Sequence, residues 1–260
     1  MLELYHGATS VCSQKVRLVL SETGLEWQSR PIDLGKGEQF SPGYLRLNPN
    51  GVVPTLVHDG RVILESSVIS EYLDRLAGGR LMAAAGAGEF DVRLWLLRCL
   101  AIHDAINTLT FATSARQAVL STKTPEEIEA ALAKMPNPQM AAKRRDLYAR
   151  GTESDFVGGA LFTLEQTFRD MSAALKQGGP WLYGPYCLAD TVLLAYLDRI
   201  ERLGLDGLWH GRHPGIADWI AAGQARPSYR AAIADFTDPS AAAAMRKGGE
   251  RYWPSISARL

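Results

Sequence analysis

Near residue 80 the apolar pattern of this 260-residue chain changes period. Up to about residue 77, short strand-like runs alternate with helix-like ones. Beyond it, apolar residues recur at three- and four-residue intervals over long stretches. A run of period two cannot serve as one of period 3.6, so the pattern demands a small α/β unit followed by a helical one. The clearest local signal is Thr55–His58, Asp59-Gly60, Arg61–Leu64, two β-rich runs about an Asp-Gly turn, which suits a tight antiparallel hairpin. Leu2–Tyr5, closed by His6-Gly7, predicts a first strand, and Trp27–Leu34 a second. Pro31 assigns the second to an edge, because proline cannot donate to the ladder. Val11–Leu20 predicts a helix stopped by Gly24. Ser66–Leu76 predicts another, with Val68, Ile69, Tyr72, Leu73 and Leu76 on one stripe. The order is β-α-β, an irregular connection, then β-β-α.

The chain divides into residues 1–78, a linker at 79–88 that is small and poor in periodicity, and a helical region at 89–260. Residues 89–118 predict a long helix with its end left open near Thr113–Thr122, Phe156–Leu175 an amphipathic one, and Leu188–Leu203 a buried central one. The run Lys143-Arg144-Arg145 reads as a solvated helix face. Residues 235–260 form a tail, and its Arg251-Tyr252-Trp253-Pro254 suggests docking onto the body.

Composition excludes several classes. Twenty-eight basic residues balance twenty-eight acidic ones, so no global field draws in nucleic acid or an anionic membrane. Three widely spaced cysteines, at 12, 99 and 187, read as reduced thiols of a cytoplasmic protein. The opening Met-Leu-Glu-Leu-Tyr-His has no basic region and apolar run of a secretion signal. Apolar stretches such as Thr191 to Leu197 fall far short of the ~20 residues that span a bilayer. His210 and His213 lie three apart in a loop without neighbouring ligands in sequence, and no metal is expected.

Three constellations in the first unit can carry chemistry. Thr9-Ser10-Val11-Cys12-Ser13 spans a strand end and a helix start, where free N–H groups and a partial positive charge stabilise a thiolate. The plain alternative is helix capping by Ser10 or Ser13. In Gly51-Val52-Val53-Pro54-Thr55 a cis proline would leave the backbone of Val53 free at a sheet edge, able to pair with a peptide-like ligand. The alternative is an ordinary loop-to-strand proline. Glu65-Ser66-Ser67 combines a carboxylate for an ammonium with hydroxyls and free N–H groups for a carboxylate. A ligand carrying both on one carbon suits it, and a cap is again the plain alternative.

Their order and spacing resemble the cytosolic glutathione transferase family, over roughly residues 2–235. The strand Leu2–Tyr5, Ser10-Val11-Cys12-Ser13, Asn48 to Leu56, Glu65 to Leu73, Leu188-Ala189-Asp190 and Arg226-Pro227 carry the resemblance. It implies a thioredoxin-like N-terminal domain followed by a helical-bundle C-terminal domain, and glutathione as co-substrate. Val53 would pair with its cysteinyl part, Glu65 and Ser66 would hold the γ-glutamyl group, and Gln39 would lie near the glycyl carboxylate. Ser10 or Cys12, with Ser13 following, would supply the activating group. His103, Asn107 and Phe111 are candidates for the acceptor wall, with ordinary packing as the alternative.

Members that resemble this chain include glutathione-dependent reductive dehalogenases and β-aryl etherases, which implies a hydrophobic, aromatic acceptor. Three activities follow from the resemblance: conjugation of glutathione to a carbon electrophile, thiol exchange or dehalogenation through Cys12, and non-catalytic binding. A homodimer is also implied. One departure concerns Cys187, which stands where the family opens its central helix with Ser or Thr. The weakened cap is expected to cost about 1 kcal/mol.

Overall fold

A computed structural model describes residues 1–84 and 88–260. Four strands, β1 (Leu2–His6), β2 (Gln28–Pro31), β3 (Thr55–His58) and β4 (Arg61–Ile63), form one sheet in the order β2-β1-β3-β4. β2 runs parallel to β1, and the other pairs are antiparallel. Tyr5 faces Thr55 and Leu56 faces Ile63, so the end of β1, the start of β3 and the end of β4 share one edge of the sheet. This register is what gathers the three constellations. β2 is shorter than the pattern suggests and lies at the sheet's margin, ending at Pro31.

Helix α1 (Val11–Thr23) starts at Ser10, whose hydroxyl accepts from Ser13 N–H, and ends at Gly24 with φ of 70°. A short turn α2 (Pro42–Leu45) precedes β3, and α3 (Ser66–Leu76) follows β4. The expected stripe on α3 is only partly buried. Ile69 and Leu73 face α1, whereas Val68 and Leu76 are exposed. Polar Ser70 and Asp74 take the remaining buried positions. Asp74 is fixed there because its carboxylate accepts from the N–H groups of Leu81 and Met82. Those residues belong to α4 (Arg80–Ala83), one helical turn inside the stretch expected as a linker; residues 85–87 of that stretch lie outside the described residues.

The helical region contains α5 (Glu89–Ala112), α6 (Ser114–Thr122), α7 (Pro125–Leu132), α8 (Pro138–Arg150), α9 (Asp155–Gly178), α10 (Leu188–Arg202), α11 (Ile216–Gln224) and α12 (Pro227–Ala232). The end left open near Thr113–Thr122 falls at Thr113, which leaves helical dihedrals (φ −121°, ψ −110°) and separates α5 from α6. Its hydroxyl donates to the Leu109 carbonyl, so it turns the chain without leaving that group exposed. α10 is buried along nearly its whole length, as its apolar run requires. The tail folds as α13 (Pro239–Glu250) and α14 (Trp253–Ser257) and packs on the body. Gly207 permits the fit, since a Cβ there would lie 2.2 Å from the Trp253 ring.

Two expectations from sequence are corrected. The basic run is not a uniformly solvated face: Lys143 binds the Asp104 carboxylate through both oxygens, Arg145 binds Glu129, and Arg144 turns inward. The Cys187 thiol does not leave a deficient cap. It donates to Asp190, whose carboxylate also accepts from the Cys187 N–H, the Leu182 N–H and the Trp219 indole. The two loop histidines do meet carboxylates in space, but separate ones, His210 with Asp206 and His213 with Glu165. No group of three or more metal-ligating side chains occurs among the described residues.

Candidate active site

The loop after β1 is held from below by buried guanidinium groups. Arg17, only 1% exposed, donates to the carbonyls of Gly7 (3.2 Å) and Ala8 (2.9 Å), and Arg199 donates to that of Thr9. A trans peptide points its C=O and the next N–H in opposite directions, so the N–H groups of Ala8 and Thr9 turn away from the arginines. His6 completes the support. Burial, reinforced by Arg17, lowers its pKa to about 4, so it is neutral. Its Nδ1 accepts from Arg17, which leaves Nε2–H to donate to Ser29. Burial, with Arg202 adding repulsion, also lowers both Arg17 and Arg199 to about 9, and each retains its proton near neutrality. Sequence reasoning missed these arginines. The signal available for Arg17 was its place between Val16 and Leu18 in the helical run.

Ser10 stands at the top of this loop, partly exposed, with its hydroxyl accepting from Ser13 N–H at 3.3 Å. Its own proton is free to donate to an anion. Ser13 is different. It is fully buried and its hydroxyl accepts from Gly7 N–H at 3.2 Å, so it braces the loop.

Cys12 points between α1, α5 and α10. Its sulfur lies 3.9 Å from the Tyr196 hydroxyl and faces His103 and the Ser66 hydroxyl. Lys15, wholly buried, donates to Ser67 at 2.9 Å and sits 5.4 Å from the Tyr196 ring centre. Burial opposes ionisation of Cys12, but His103, then Lys15 and Ser66, outweigh it, and the thiol is lowered to about 6. Reciprocally, burial opposes protonation of His103 while the sulfur opposite raises its pKa. Cys99, on the apolar side of α5, is raised by burial.

The loop before β3 is shaped by a buried polar network. Tyr44 Oη donates to the Val52 carbonyl (2.7 Å), and Asn48 Nδ2 donates to the same oxygen (2.8 Å) and to Thr55 Oγ1 (3.1 Å). The Val53 N–H therefore points away from that network, and neither polar backbone group of Val53 is paired among the described residues. The Val53–Pro54 peptide is cis. Gly51, at φ of 61°, packs on Phe40; a Cβ would come within 2.9 Å of that ring. The contact brings the turn holding Gln39 to the same edge, with Gln39 Oε1 buried and unpaired.

Glu65, exposed, adopts φ of 65° and ψ of 112°, a region that L residues rarely occupy. Such strain persists where surrounding structure enforces it, and it clusters at ligand sites. Directly after it, the first turn of α3 offers N–H groups without helical acceptors, beside the Ser66 hydroxyl. Ser67 ties the site to the helical region by donating to the Leu96 carbonyl at 2.7 Å.

His103, Asn107 and Phe111 lie along one side of α5, but in two environments. His103 joins the Cys12 cluster, whereas Asn107 and Phe111 line a groove between α5 and α8. The arrangement can hold a thiolate at Ser10, pair a peptide backbone at Val53, and bind a carboxylate with its neighbouring ammonium at Glu65–Ser66.

Residues 9–76 match the family description "Glutathione S-transferase, N-terminal domain". The chain is 26% identical to Glutathione S-transferase TCHQD of Arabidopsis thaliana, over 89% of each chain. It is 28% identical to the tetrachloro-p-hydroquinone reductive dehalogenase of Sphingobium chlorophenolicum, over 89% of this chain and 95% of that one. The solved structure of the β-etherase LigF from Sphingobium sp. strain SYK-6 superposes with a TM-score of 0.76 at 25% identity, covering 90% of this chain and 99% of that one.

Proposed function

We propose, on the premise that this chain belongs to the glutathione S-transferase family, that Ser10 holds the glutathione sulfur as a thiolate for attack on a hydrophobic, aromatic electrophile. In that step the thiol proton passes to solvent, a carbon–sulfur bond forms as the bond from carbon to the leaving group breaks, and an aryl oxide or halide leaves with its electron pair. Lowering the thiol pKa supplies the nucleophile, and binding both partners supplies proximity. In this reading Val53 pairs with the cysteinyl backbone of glutathione, Glu65 and Ser66 hold its γ-glutamyl ammonium and carboxylate, and Gln39 reaches towards its glycyl end. Ser13 braces the loop and takes no part in the chemistry. What supports the reading is that free groups suited to each part of the tripeptide lie along one edge of the sheet. Likeness to a β-etherase favours an aryl ether as the acceptor.

Calorimetric titration with glutathione tests the binding half. We expect one molecule bound per chain, and about tenfold weaker binding in Ser66→Ala, as loss of a hydrogen bond to a charged group implies. No heat at millimolar glutathione overturns the reading.

Thiol exchange at Cys12 is the second reading, favoured by the low pKa of that thiol. Its thiolate would attack one sulfur of oxidised glutathione, forming a mixed disulfide and releasing the other glutathione as a thiolate. Alkylation by iodoacetamide reports the thiolate. Below pH 6 the protonated sulfur is inert; the rate should rise through about 6 and level off above it. Cys99 and Cys187, buried, should stay unmodified. A midpoint near the free-thiol value of about 8.5 would exclude a pre-ionised Cys12.

For assembly we propose a homodimer. Phe90, Leu94, Leu97 and Leu100 expose an apolar band along α5 (80%, 52%, 66% and 58% exposed), and Val68 and Leu76 add exposed apolar surface on α3. Light scattering should give twice the chain mass, and Leu97→Glu should shift it towards monomer. No described helix is long and apolar enough to cross a membrane. Three unpaired cysteines and a glutathione requirement fit a reducing, cytoplasmic setting.

A further inference from the structure

We infer that the acceptor of this transferase is an elongated aromatic acid, and that Arg144 is the residue that selects it; the inference rests on the transferase reading above. The groove between α5 and α8 carries two cations of different standing. Lys143 is neutralised by Asp104, with both carboxylate oxygens at 2.8 Å. Arg144 has no carboxylate partner among the described residues. Its guanidinium carbon lies 3.0 Å from the centre of the Phe111 ring, with the Tyr148 hydroxyl beside it. Half-buried there, it is held below its ordinary pKa, chiefly by burial.

A cation kept from water without a counter-charge is costly, and an incoming anion relieves that cost. A guanidinium held over a ring keeps the planar fork of N–H donors that matches a carboxylate. The Phe111 ring gives the groove an aromatic wall, and Asn107 gives it a second polar contact. His103, which faces the Cys12 sulfur, Asn107 and Phe111 are spaced by four residues on α5 and form one row that runs from the Cys12 cluster to the groove. At ~1.5 Å per residue that row is about 12 Å long. An acceptor reacting at the sulfur end and anchored by its acid group at Arg144 is therefore about two linked aromatic rings in length.

The test measures binding of 4-phenoxybenzoate and of its neutral analogue 4-phenoxybenzamide by calorimetry, without glutathione. The intact protein should bind the acid about tenfold or more tightly than the amide, as a charge-assisted pair implies. Arg144→Gln should erase that preference, lowering affinity for the acid far more than for the amide, while leaving affinity for glutathione unchanged and the protein folded. Arg144→Lys should keep part of the preference. Equal binding of acid and amide by the intact protein overturns the inference, as does a preference that survives Arg144→Gln. Failure to bind glutathione in a parallel titration would instead overturn the transferase reading, so the two failures are distinguishable.

Discussion

Replacing Ser10 with glycine is expected to lower kcat/KM for glutathione conjugation by about 10²-fold, the cost of losing one hydrogen bond of roughly 3 kcal/mol to a charged atom. Glycine is the informative replacement because Ser10 also caps α1 through Ser13 N–H. Alanine at an N-cap costs about 1 kcal/mol of stability, whereas glycine costs only a few tenths. A loss of rate in Ser10→Gly without a matching loss of stability therefore belongs to the hydroxyl. The pH profile supplies a second reading. With the donor gone, the glutathione thiol should ionise closer to its free value, about 8.5, and the rising limb of kcat/KM should move to higher pH. Ser10→Thr keeps both hydroxyl and cap and should retain most of the rate. An unchanged profile in Ser10→Gly would move the activating role to Cys12, whose own variant then becomes the decisive one.

The largest effect on stability is expected at Asp190. Asp190→Ala should lower the unfolding free energy by ~3–5 kcal/mol, measured by urea denaturation, as for removal of one partner from a buried charged network. The carboxylate is fully buried and joins the chain before α10 to α11. One oxygen accepts from Leu182 N–H (3.1 Å) and the Trp219 indole (2.7 Å), and the other from the Cys187 N–H (3.1 Å) and thiol (3.2 Å). Burial pushes the Asp190 carboxyl up, and its donors pull the other way. Alanine would leave the backbone donors and the indole buried without an acceptor. Asp190→Asn preserves an acceptor oxygen and most of the shape, and should cost less than half as much. Equal costs for the two variants would mean that volume, not hydrogen bonding, governs the site. Cys187→Ser should be nearly neutral, since the thiol already donates where a hydroxyl would.

Several parts of the candidate site are legible in the sequence. The helix start at Ser10, the turn before Thr55 and the Glu65-Ser66 pair announced themselves because each depends on local chemistry: a cap, a proline, a helix N-terminus. Arg17, Lys15 and Arg199 gave no such notice. Each is buried by contacts with residues far along the chain, as when Arg199 reaches the Thr9 carbonyl 190 positions away. The same holds for His103. Its place on α5 was readable, but its pairing with Cys12 required α1 and α5 to pack together. Arg144 illustrates the opposite error. A run of three basic residues looks solvated in sequence, yet neighbours on one helix face different ways, and only packing of α8 on α5 turned Arg144 onto Phe111.

By itself the sequence determined the order of the strands and main helices of the first unit, the Asp-Gly hairpin, the buried run of α10 and the cap and turn positions of the candidate site. These follow from side-chain periodicity and turn chemistry, which act over a few residues. Tertiary structure decided which charges are paired, which are stranded and which thiol has its pKa lowered. Those properties depend on burial and on distances between elements remote in the chain, and electrostatic energies change steeply with both.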